Sequence, residues 1–279
     1  MPRDDDDDAA GPDLPDLAAD EIWDLPQESR GVLLDSLESD DAAVRLEALE
    51  MLSHSLDDSL ALRALDLARQ DPDEEVRVAA VLALGPGLGA SEGDDFEEPG
   101  ATRGSPLSAE TTAALGQGLK QLYFDSEAPK VVRRRALETA VFAPGAWQEG
   151  ATRAAWASGD AEWKQSAIFA MARLPGFERE LVEGLRDRSP LVRLESARAV
   201  GDSGIREAAA RLLALARAAD EEHLVRMAAM ESLGLLGDRH ALVALREIAA
   251  GADSELAYAA RSAIARITAG DESGDDLRF

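Results

Sequence analysis

His54, His223 and His240 are the only imidazoles in the chain, and none has a second histidine three to five residues away. A helix-borne metal centre needs ligands one turn apart on a common face, so no metal-ligating set is expected. Cysteine is absent, which removes disulfides, a thiolate nucleophile and cysteine-held zinc. The tetrapeptide Gly201-Asp202-Ser203-Gly204 sets a serine beside an acid. A nucleophilic serine also needs a general base, an orienting acid and an oxyanion hole on a rigid scaffold. Here the tetrapeptide falls between a helix expected to stop at Gly201 and one expected to start near Ile205, so Ser203 is not expected to catalyse. GPGLGASEG, from Gly85 to Gly93, mimics a phosphate-cradling loop, but no strand precedes it, no Lys-Ser/Thr follows it and acids crowd its far side. It reads as a helix stop running into a linker. No catalytic residue, cofactor site or enzyme activity is expected.

Residues suited to binding are easier to find. Lys130 to Arg135, KVVRRR, is the sole basic cluster. It would contact an acidic peptide or phosphate, or pair with Glu127 and Glu138 around its own helix. Tyr123, Phe124, Phe142, Trp147, Trp156, Trp163, Phe169 and Phe177 place eight of twelve aromatics within 55 residues. They are either bulky fillers of an irregular junction or, where exposed, anchors for a partner.

Charge limits the partners. The 279 residues carry 55 acids against 29 bases, a formal net charge of −26, and arginine outnumbers lysine 26 to 3. Such a surface repels nucleic acid and anionic lipid, so neither is an expected partner. Residues 1–28 hold eleven acids and one base, 86–106 five and one, and 268–279 four and one. These segments are expected to be a mostly disordered acidic arm, a flexible insertion and an acidic tail. They serve as solvated ends or as arms for a basic partner. Within the arm, DEIWDLPQ at 20–27 would dock a partner or fold back over the first repeat, and self-capping is the expected role. No apolar run approaches the roughly 18 residues of a membrane span, nor does MPRDDDDDAAG supply the apolar core of a signal peptide. A soluble cytoplasmic chain, monomeric, is expected.

The elements that carry these residues repeat. Aligned on a Val-Arg pair, VRLEALEML from Val44 recurs as VRVAAVLALG from Val76, VRRRALETA from Val132, WKQSAIFAM from Trp163, VRLESARAVG from Val192, VRMAAMESLG from Val225 and LAYAARSAI from Leu256. Spacings between second positions are 32, 56, 31, 29, 33 and 31 residues, and the outlier is one repeat plus the insertion. The first column is apolar and the fifth small in all seven copies; with the eighth and ninth they form one helical stripe. Asp71-Pro72 and Ser189-Pro190 place a cap before proline, Asp220 stands in the same register, and Gly85, Gly201 and Gly234 read as stops. Each copy follows another amphipathic segment, such as 60–70, 205–219 and 241–250, so the unit is helix, turn, helix. Neighbouring units would bury a continuous core.

The pattern D-P-x-x-x-V-R-x-x-A-x-x-A-L-G, nearly complete from Asp71 to Gly85, resembles HEAT repeats of the short phycobilin-lyase type over roughly 29–267. The resemblance implies an all-α fold, an α-solenoid of about seven HEAT-like helical hairpins whose second helices line the concave face. The second-column arginine is expected to bond capping acids or carbonyls of its own or the adjacent turn. The third, fourth, sixth and seventh columns are expected to line the concave face as a scaffold or adaptor surface for a protein or peptide. Arg135, Glu138, Trp163, Lys164, Phe169, Glu195 and Arg198 are the candidate partner-binding residues, with Phe169 preferred over Trp163. The competing implication is an enzyme or accessory of the HEAT-like lyase or hydroxylase kind. Deoxyhypusine hydroxylase holds di-iron with repeated His-Glu pairs, and no histidine here precedes glutamate. The acidic, lysine-poor, alanine-rich composition also resembles proteins of extremely salt-loving archaea.

Overall fold

A computed structural model describes residues 27–52, 56–89, 107–143 and 145–275. The acidic arm up to residue 26, DEIWDLPQ short of Gln27, His54, most of the insertion and residues 276–279 lie outside the described residues.

Among the described residues there are fourteen α-helices and no strand. They pair as α1 (Gln27–Leu37) with α2 (Ala42–Leu52), α3 (Asp58–Gln70) with α4 (Glu74–Gly89), and α5 (Ala109–Phe124) with α6 (Lys130–Ala140). Next α7 (Gln148–Ala157) is followed by α8 (Ala161–Met171), and α9 (Glu178–Gly184) pairs with α10 (Pro190–Asp202). Then α11 (Ala209–Arg217) pairs with α12 (His223–Leu236), and α13 (Leu242–Ala249) with α14 (Ser254–Asp275), a 3-10 turn leading into α11 and into α13. These are the seven expected hairpins. The chain divides into two compact units, Met1–Gln148 and Glu149–Phe279.

Within each unit, second helices stack on second helices: α2, α4 and α6 in one, α8, α10, α12 and α14 in the other. The fifth column is the pivot. Ala48, Ala80, Ala136, Ala167, Ser196, Ala229 and Ala260 are all 0% exposed, so a side chain larger than alanine or serine there would push adjacent helices apart. A hydroxyl in the eighth column pins neighbours together. Thr139 Oγ1 donates to the Val81 carbonyl at 3.3 Å in the first unit, and Ser232 Oγ to the Ala197 carbonyl at 2.7 Å in the second. Both acceptors are sixth-column residues. That column was expected to face a ligand, yet Leu49, Val81, Leu137, Ile168, Ala197 and Met230 are buried because they face the next second helix.

Two of the three glycine stops have another purpose. A Cβ on Gly201 would lie 2.9 Å from the Ser232 Cα, and one on Gly234 would lie 3.0 Å from the Ala263 Cα. These glycines therefore permit backbone contact between consecutive second helices. The actual turns come at Gly204 and Gly237, with φ of 66° and 65° in the left-handed region glycine adopts without strain. The third expected stop, Gly85, is passed as well. α4 runs through Pro86 to Gly89, its last turn set against the Phe142 ring and Leu56. At the other end of the chain α14 continues through residue 275, past the expected limit at 267.

Candidate partner-binding site

The second-column cations lock one hairpin to the next. Arg45 Nε and Nη2 donate to the two Asp71 carboxylate oxygens at 2.8 Å each, and Nη1 donates to the Ser39 and Asp40 carbonyls. Asp71 also accepts the Asp73 N–H, and Asp73, not Asp71, caps α4 through the Glu75 and Val76 amides. The same device recurs in the second unit. Arg193 forks onto Glu221 at 2.8 and 2.5 Å while its Nη1 reaches the Asp187 and Arg188 carbonyls. Lys164, standing where arginine usually does, meets Asp187 at 2.5 Å. The other copies point backwards: Arg77, Arg133 and Arg226 donate to the carbonyls of Ala68, Tyr123 and Ala216 near the end of the preceding helix. The carbonyl half of the arginine expectation therefore holds, while the acids that Arg45 and Arg193 bind, Asp71 and Glu221, lie in the turn of the next hairpin and do not cap the start of its second helix.

The titration of these acids follows from the pairing. Burial pushes the Asp187 carboxyl up, but the hydrogen bonds from Lys164 and the Ser189 amide, with the Lys164 and Arg193 charges, outweigh it and hold Asp187 below its ordinary value. Glu221 behaves alike: burial raises it, and Arg193 with the Glu222 amide brings it below normal. In the first unit the Asp71 hydrogen bond raises the Arg45 guanidinium despite burial.

The seven candidate residues separate into distinct surroundings. Arg135 and Glu138 form an ion pair on α6, and Glu138 is only 6% exposed, so it is an internal partner of Arg135 and not the open contact expected. Trp163 occupies a column filled elsewhere mostly by valine. Its indole is larger than that slot and remains half-buried. Lys164 is drawn to the hairpin turn by Asp187. Arg198 faces solvent on the second helices, and Phe169 and Glu195 are half-buried there. The Arg173 guanidinium stacks 3.7 Å from the Phe169 ring centre, and Arg198 approaches Glu195 at 3.5 Å. One hairpin further on, Glu231 is exposed in the same seventh column as Phe169 and Arg198, 3.8 Å from Arg266.

The aromatics divide between core and surface. Phe177 is 1% exposed and Tyr123 8%, which makes them core, whereas Phe124 is 59% exposed. Trp156 is half-buried and floors a groove of about 910 Å³, formed by the α7–α8 turn, α9 and the turn before α10. Lys164, Arg179, Arg186 and Arg188 line it with Glu183 and Asp187.

Residues 178–265 match the family model of HEAT repeats, a span from α9 into α14. That span carries HEAT repeats. Human deoxyhypusine hydroxylase in complex with glycerol is similar over 90% of this chain and 94% of its own, at 17% identity and a TM-score of 0.40. The Escherichia coli protein YibA is similar over 90% and 95%, at 15% identity and a TM-score of 0.49. A designed armadillo repeat protein aligns over 84% and 98%, at 18% identity and a TM-score of 0.34. No curated protein matches the chain. Among the described residues no helix is long and apolar enough to cross a membrane.

Sequence reasoning missed Arg179, Arg186 and Arg188. Between Glu178 and Ser189 they alternate with Glu180, Glu183 and Asp187, so the stretch looks neutral. In the folded HEAT repeats Glu180 turns to Arg153 and Asp187 to Lys164, and the three guanidiniums form no ion pair with any described residue. Three arginines within ten residues, from Arg179 on α9 to Arg186 and Arg188 in the turn after it, were the available signal.

Proposed function

We propose that this chain is a non-enzymatic scaffold or adaptor whose second-helix face, within Glu149–Phe279, binds a protein or peptide partner. The observation carrying this reading is the division of labour along the second helices. The fifth and sixth columns from Ala167 to Met230 are consumed by stacking, while the seventh leaves Phe169 half-buried and Arg198 and Glu231 exposed at successive repeats. Stacking makes no use of that column. Aromatic and arginine side chains are the types that dominate binding energy at protein interfaces, and a rigid helical support lowers the entropy cost of association. The mixed signs of Glu195, Arg198 and Glu231 fit a ligand with mixed charges of its own.

A bait carrying Phe169→Ala and Arg198→Ala tests the proposal against the wild-type chain. Affinity capture from source-cell extract is expected to lose at least nine-tenths of a partner held by the wild type, with helical circular dichroism unchanged. Equal recovery by both baits contradicts it.

A further inference from the structure

We infer that the groove floored by Trp156 is a second binding site, one that takes an extended acidic peptide of a partner protein. Its lining carries four cations, Lys164, Arg179, Arg186 and Arg188, against the two acids Glu183 and Asp187, an excess of +2 in a chain whose formal charge is −26. Lys164 and Asp187 neutralise one another at 2.5 Å, so the groove presents three guanidiniums and one remaining acid. Arg179, Arg186 and Arg188 are exposed and form no ion pair with any described residue. Guanidiniums bind carboxylates with paired N–H donors, and an arginine already held by an acid would give up that pair first. These three are under no such constraint.

The floor is arranged before any ligand arrives. The Lys164 ammonium lies 5.2 Å from the Trp156 ring centre, an attractive placement of a cation over an indole face. Gly184 leaves room for the far edge of that ring, which would lie 3.2 Å from a Cβ at this position. Val182 adds an apolar wall. At about 910 Å³ the groove has the size of a ligand cleft, with a flat aromatic surface for one apolar side chain and arginines around it for carboxylates.

The same charges decide the ligand class. A polyphosphate chain would meet Glu183 at close range and the field of a strongly acidic protein at long range. A peptide with two or three carboxylates and an apolar side chain among them engages the arginines with far less repulsion. The groove lies entirely between residues 156 and 189 and shares neither Phe169 nor Arg198 with the second-helix face. The two binding proposals can therefore fail separately.

The test uses the full-length chain and a fluorescein-labelled peptide, Gly-Asp-Glu-Phe-Asp-Gly, titrated by anisotropy. Its amide analogue, Gly-Asn-Gln-Phe-Asn-Gly, and a single-stranded oligonucleotide of similar length are the controls. The acidic peptide is expected to bind at least tenfold more tightly than either control and to shift the Trp156 indole N–H resonance, assigned by its loss in Trp156→Phe. Arg179→Gln with Arg186→Gln and Arg188→Gln should weaken the peptide at least tenfold, while Phe169→Ala with Arg198→Ala leaves it unchanged. The substituted arginines are exposed, and circular dichroism verifies the fold. Absence of peptide binding, equal binding of the amide analogue, or tighter binding of the oligonucleotide would each overturn the inference.

Discussion

The two units, Met1–Gln148 and Glu149–Phe279, are built from the same hairpin but treat their aromatic rings differently. In the first, rings gather on one another: Tyr123 meets Phe124 edge-on at 4.8 Å and Trp147 at 5.5 Å, and Phe124 and Trp147 are 5.9 Å apart. In the second, three rings each lie under a cation, with Lys164 over Trp156, Arg173 over Phe169 and Arg153 over Phe177. Rings that satisfy each other close a junction. Phe177 is core even so, but Trp156 and Phe169 are half-buried with a cation beside an apolar face, as a wet binding surface requires. The units also fill the tenth column differently. The second unit places Gly201 and Gly234 against neighbouring backbone, whereas in the first the Phe142 ring covers Gly85 at 3.6 Å from a built Cβ.

The largest predicted effect sharpens the difference between the arginine locks. The side chains of Arg45 and Asp71 are 8% and 2% exposed, against 17% and 8% for Arg193 and Glu221. Arg45→Ala leaves Asp71 buried and uncompensated and is expected to cost about 3–5 kcal/mol. Arg193→Ala, with more water at hand, is expected to cost less than Arg45→Ala. Urea denaturation of both variants checks the order, and a larger loss at Arg193 would break the comparison.

Next come the glycines. Gly234→Ala drives a Cβ towards the Ala263 backbone and is expected to destabilise by about 1–3 kcal/mol, the usual cost of overpacking. Gly85→Ala meets only ordinary contact with Phe142 and restricts the unfolded chain, so a gain of about 0.5–1 kcal/mol is expected. Thermal melts of the pair should shift in opposite directions.

A smaller effect depends on pH. Folded Asp187 and Glu221 titrate below their unfolded values of roughly 3.9 and 4.3, so their pairs contribute fully above about pH 5 and are lost as pH falls through the lowered folded values. Compared with wild type, Asp187→Asn with Glu221→Gln should lose less stability between pH 5 and pH 3, measured as the change in urea midpoint. A parallel pH dependence in the two proteins would deny these pairs their role. The smallest effect is that of Phe169→Ala, which removes a half-buried ring outside the stacking columns and is expected to alter stability by at most about 1 kcal/mol.

The hairpins were legible in the sequence because stacking writes the same demand at every repeat. A fifth-column alanine or serine is a local residue choice with a global cause, and it appears seven times. The second-column arginine was legible for the same reason, though not which way each would point. What stayed hidden depended on distances between repeats. Gly201 reads as a helix stop until Ser232 is seen against it, and Asp71 reads as a cap until Arg45 claims it. The groove was least visible, since its arginines are freed only when Glu180 and Asp187 are drawn to Arg153 and Lys164. The family match confined to 178–265 fits this pattern, because that stretch holds the evenly spaced hairpins and lies clear of the insertion.

We propose that the seventh column of the second helices within Glu149–Phe279 is reserved for a partner. A photo-crosslinking amino acid at position 169, compared with one at the exposed position 154 on a first helix, tests it most directly. In source-cell extract the account predicts a discrete covalent adduct from position 169 that is absent from position 154 and is lost with Arg198→Ala. Adducts of equal yield from both positions, or none from 169, would contradict it.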